Sequence, residues 1–77
     1  MDQTNITWIV ELGVATGYDD SGEWALWTYK VLAPDNTTRQ KLEQIAKDYF
    51  WAEWEHSVGK REGLEVYNIW LHSYEKE

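Results

Sequence analysis

The chain has no cysteine, one proline, one phenylalanine and one methionine among its 77 residues, and only seven basic side chains against fourteen acidic ones. Each shortage excludes something. Without thiols there is no disulfide or thiolate–metal staple to reinforce a small core, so stability has to come from apolar burial or from a partner. A formal net charge of −7 repels the phosphate backbone, which argues against direct nucleic-acid binding. The same acidity favours solubility and steers association toward basic surfaces. No apolar run is long enough to cross a membrane. Met1-Asp2-Gln3-Thr4 has no basic region and no apolar run follows it, so no signal peptide is read and a cytoplasmic location is expected. The Asn-x-Thr matches at Asn5 and Asn36 are then chance occurrences.

What the chain has in abundance is aromatic surface. Six Trp, five Tyr and one Phe, each able to bury on the order of 150–250 Å², are a large payload for a length that supports one small domain. Some of that payload is left over for a partner.

Ile6, Trp8, Val10, Leu12 and Val14 alternate with Thr7, Ile9, Glu11 and Gly13, the period of a half-buried strand. Gly17-Tyr-Asp-Asp-Ser-Gly22 is built of turn formers and closes a hairpin. A second strand runs from Glu23 to Ala33 with Trp24 and Leu26 on one face and Trp27 and Tyr29 on the other, and Pro34-Asp35-Asn36 stops it. Thr37-Thr-Arg-Gln40 fits a capping box, so a helix starts at Thr37. It runs to about Ser57 or Val58, with Gly59 as its C-cap and Lys60-Arg61 at the negative end of its dipole. A last strand, Leu64 to Tyr74, is apolar on both faces over its middle. The expected architecture is α+β: a three-stranded antiparallel sheet in the order 2-1-3, with one helix on one face in a β-β-α-β chain order.

Asp48-Tyr-Phe-Trp-Ala-Glu-Trp-Glu-His56 places four rings and three carboxylates inside that helix. At about 100° per residue, Leu42, Ile45, Ala46, Tyr49 and Phe50 share the core side, Trp54 falls at its border, and Trp51 lies nearly opposite Leu42. Trp51 is thus surplus to a one-sided helix. Trp is the type most enriched among interface hot spots, so Trp51 is the expected anchor, with Asp48, Glu55, Asp19, Asp20 and Glu23 supplying negative charge. One helix covers one sheet face. Either Trp24 with Leu26 or Trp27 with Tyr29 then points away from the helix; Trp27 and Tyr29 are taken as partner-binding, and self-association through the open face is a second expectation.

Glu53 and His56 have the i, i+3 spacing of carboxylate-bridged metal bundles, and His72 could meet His56 in space. A single helix cannot supply the remaining ligands, so no metal is expected. Ser57, Ser73 and Thr28 lack an evident base and orienting acid, and Lys60-Arg61 between Gly59 and Gly63 do not form a phosphate loop. Neither an enzyme nor a cofactor is read from these residues. In size, acidity, aromatic content and lack of catalytic residues the chain is similar to small phage proteins that inhibit bacterial defence enzymes, anti-CRISPR and anti-restriction proteins among them. That compositional resemblance implies a module that blocks a basic, nucleic-acid-handling enzyme, with carboxylates standing in for phosphates. The alternative is a homodimeric accessory protein whose acidity serves solubility.

Overall fold

A computed structural model describes residues 4–17 and 23–77. Three strands, β1 (Asn5–Gly17), β2 (Glu23–Pro34) and β3 (Glu65–Lys76), form one sheet in the order β2-β1-β3. Both pairings are antiparallel. Between β2 and β3 the chain forms α1 (Arg39–Trp54) and the single turn α2 (Val58–Arg61), and α1 packs on one face of the sheet. This is the expected small α+β domain. The expected hairpin tip, with Asp19 and Asp20, lies outside the described residues. No helix among the described residues is long and apolar enough to cross a membrane.

The central strand follows its alternation. Trp8, Val10, Leu12 and Val14 are buried under α1, and each apolar side chain so buried contributes about 1.5–3 kcal/mol. The indole N–H of Trp8 is shared between the carbonyls of Ala33 and Pro34, 3.3 Å from each, which lets a polar ring edge lie inside the core.

The outer strands differ in how they follow that alternation. β2 pairs with β1 without interruption from Asn5↔Pro34 to Thr16↔Glu23. β3 has two register shifts: Glu11 faces Ser73 while Leu12 faces Leu71, and Ala15 faces Asn68 while Thr16 faces Val66. His72 and Tyr67 are the extra residues. A bulge of this kind resets which side of the sheet the following side chains occupy. Ile69 and Leu71 therefore face α1, and so do Val66 before the first bulge and Tyr74 after the second, which is why the strand reads as apolar on both faces.

The start of α1 lies one residue later than the capping box suggests. Thr38 is the N-cap and its hydroxyl accepts from the Lys41 N–H at 3.2 Å. Thr37 instead donates its hydroxyl to the Pro34 carbonyl at 2.6 Å and closes the turn out of β2. The end is also earlier. The Ser57 hydroxyl donates to the Trp54 carbonyl and accepts from the Lys60 N–H, ending α1 and capping α2 in one side chain. The glycine that stops the helical region is Gly63 at φ +85°, not Gly59. Its N–H reaches the Lys60 carbonyl and the N–H of Leu64 reaches that of Gly59, the paired bonds of a Schellman motif. Gly59 leaves room for the Trp54 ring: a Cβ there would stand 2.8 Å from Cη2.

Candidate functional site

The buried residues of α1 are Leu42, Ala46, Phe50 and Trp54, a pure i+4 row. At 100° per residue that row drifts by about 40° at each step, so the core side of the helix winds as it crosses the sheet. Trp51, opposite Leu42 at the start, is only about 60° from Trp54 at the end. The drift carries it to the β3 flank of α1, where it lines a shallow cleft of about 290 Å³ with Lys47, Val66, Asn68 and Ile69. Its ring meets Phe50 edge-on at 5.2 Å, yet the residue keeps 45 % of its surface in solvent. Trp54, at the border in the helical wheel, is buried. Tyr49, read as core, is half exposed at 49 % and stacks on Tyr29 along the β2 flank.

Asp48 and Glu55 lie one turn before and one turn after Trp51, and both are exposed. Asp48 accepts from the Gln44 amide at 3.0 Å. Glu55 is paired with Lys60. An exposed pair of this sort holds a carboxylate in place while contributing little to stability. The flank thus presents an apolar ring between two carboxylates on a rigid helix. Glu23 is exposed at the start of β2, beyond the end of α1.

Trp27 and Tyr29 are placed otherwise than the expectation of a free face requires. Paired with Leu12 and Val10, they point toward α1. Trp27 meets Phe50 edge-on at 5.0 Å and Trp54 at 6.3 Å. The Tyr29 hydroxyl donates to Glu53 at 3.1 Å. Burial, and then the hydrogen bond to Glu53 and its charge, push that phenol above its ordinary range. Glu53, which falls inside the helical core stripe, is tolerated there because it leans outward to this hydroxyl.

Among the described residues Trp24 and Trp70 place their rings on the uncovered face, and neither was selected as a binding residue from the sequence. Their centroids lie 5.6 Å apart, and His72, displaced outward at its bulge, stacks on Trp24 at 6.1 Å. Leu26 extends the patch along β2, and Leu32 stands further along the same face beyond Thr28 and Lys30; Trp24, Leu26 and Leu32 are 57, 45 and 68 % exposed. His72 is thus engaged on the face away from α1, while His56 is exposed just beyond the helix end. Among the described residues no three His, Asp or Glu side chains are grouped to hold a metal ion.

The chain was compared with protein-family models, with curated proteins and with solved structures, and none of them matches it.

Proposed function

We propose that the protein is a small acidic binding module that occupies the nucleic-acid-handling surface of a basic enzyme and so inhibits it, in the manner of phage anti-defence proteins. The observation that carries this reading is Trp51, a large ring left in solvent on a rigid helix with Asp48 and Glu55 a turn to either side. Apolar anchors in desolvated pockets supply most of the lifetime of a complex. Carboxylates at spaced positions around such an anchor complement Lys and Arg side chains that otherwise meet phosphates. The net charge of −7 adds long-range attraction to the same partner.

The test is capture on the immobilised chain from nuclease-treated bacterial lysate, followed by competition with duplex DNA or RNA. The captured protein is expected to be basic, to handle nucleic acid, and to be released by the competing nucleic acid and by salt. Capture of a neutral or acidic partner, or a basic one that nucleic acid does not displace, contradicts the reading.

A further inference from the structure

We infer that the outer edge of β2 is a self-association site, at which a second copy of this chain pairs antiparallel to form a continuous six-stranded sheet. The inference goes beyond the proposed inhibitory contact and does not depend on it, because Trp51 lies on the opposite, β3 flank of α1.

A three-stranded sheet has two edges, and they differ here. β3 is blunted in the ways that prevent pairing: two bulges at Tyr67 and His72, and charges at Glu65, Glu75 and Lys76. β2 is twelve residues without a bulge, and between Glu23 and Pro34 its one charged side chain is Lys30. Lys30 would normally guard an edge, but its ammonium is drawn back across β1 to Glu77 at 3.2 Å. A long, unbulged and largely apolar edge of this kind is a template for another strand.

One register makes the edge complementary to itself. With Thr28 on the twofold axis, each Trp24 comes opposite the twin's Leu32, two of the most exposed apolar residues among those described. Leu26 lies along the twin's Lys30 stem. On the helix side Trp27 meets the twin's Tyr29, and Glu23 comes opposite the twin's Ala33. At that point each copy has a groove of about 520 Å³ lined by Ala33, Thr38, Lys41 and Ile45. The Lys41 ammonium has no carboxylate partner among the described residues, and the twin's Glu23 supplies one, twice by symmetry. Eleven paired residues make a strip about 35–40 Å long with about ten backbone hydrogen bonds. With its flanking side chains the strip covers on the order of 1,000 Å², where specific interfaces begin. The blunted β3 edges end the sheet at two copies.

The experiment combines mass in solution with single-cysteine crosslinking, which a cysteine-free chain makes unambiguous. Light scattering at micromolar concentration is expected to give twice the chain mass, and the dimer to strengthen with salt as repulsion between two acidic copies is screened. Under mild oxidation Thr28→Cys is expected to crosslink to itself. Lys30→Cys is expected to crosslink only when mixed with Leu26→Cys. Lys41→Glu should weaken the dimer at least tenfold, and Glu23→Lys in the same chain should restore it. A monomer at every concentration overturns the inference. So does a dimer in which Thr28→Cys fails to crosslink, which would assign the contact to another surface such as the stacked Trp24–Trp70 face.

Discussion

The indole of Trp70 lies across Gly13, so near that a Cβ on Gly13 would stand 2.6 Å from the ring nitrogen and closer still to two ring carbons. The residues are register partners on the open face of the sheet, and the missing side chain of one is the seat of the other. Gly13→Ala is therefore expected to expel the ring, at a cost of about 1–3 kcal/mol, the range for forcing extra volume into a packed site. Intrinsic fluorescence should shift to the red as Trp70 enters water. In a Trp70→Ala background the same substitution should cost much less, and additive losses would show that the two do not share this contact.

A second prediction concerns alkaline pH. An unfolded tyrosine ionises near its ordinary pKa of about 10, whereas the folded Tyr29 holds its proton to higher pH. The stability arising from this difference is fully present below pH 10 and is lost as pH rises through the folded value. Tyr29→Phe should flatten the fall in stability above pH 10. Glu53→Gln should bring the Tyr29 phenol into earlier titration, read as tyrosinate absorbance at 295 nm. Unchanged titration in Glu53→Gln would remove Glu53 as a cause, and an unchanged fall in stability in Tyr29→Phe would remove Tyr29 as its source.

Gly63, just past the C-cap of α2, and Gly59 inside it should respond to substitution for different reasons. Nothing lies within 4 Å of a Cβ added at Gly63, so Gly63→Ala is expected to lose only the backbone penalty of a left-handed residue, about 1–2 kcal/mol. Gly59→Ala meets the buried Trp54 ring and also Leu64 Cδ1 at 3.3 Å, and should perturb the core. Near-ultraviolet circular dichroism separates them: the Trp signal is retained in the first variant and altered in the second.

The carboxylates beside Trp51 should act on the rate of encounter. Asp48→Asn with Glu55→Gln is expected to slow association with a basic partner several-fold at low salt, and the difference should vanish as the Debye length falls below about 10 Å. Thermal stability should stay within about 0.5 kcal/mol of the parent chain. A slowing that persists unchanged at high salt would mean that the two side chains act through short-range contacts.

The strand order and the burial of β1 were legible because a central strand alternates cleanly between a covered and an open face. The facing of β2 was legible too, had the two strands been paired residue by residue: matching Thr16 with Glu23 sets Trp27 beside Leu12 on the covered face. Composition alone, with rings on both sides of the strand, does not choose between them. The bulges of β3 have no signal in a two-residue period, since each extra residue simply inverts it. The helical wheel misplaced Tyr49 and left Trp54 undecided because it assumes a stripe parallel to the axis. The observed row from Leu42 to Trp54 winds by about 120° over three i+4 steps, enough to bring Trp51 from the far side to the rim. Ser57 broke the helix by capping the next one, a role its sequence neighbours do not reveal.

The dissociation rate of the complex formed by Trp51→Ala, measured on a surface bearing the captured basic enzyme, tests the central claim most directly. Loss of an anchoring ring worth about 2 kcal/mol should speed dissociation about thirtyfold, with a melting temperature within a few degrees of the parent chain. Trp54→Ala, which empties a core position, should by contrast lose about 3–5 kcal/mol of stability. An unchanged dissociation rate for Trp51→Ala, or a stability loss matching that of Trp54→Ala, would contradict the assignment of Trp51 as the exposed anchor of a binding surface.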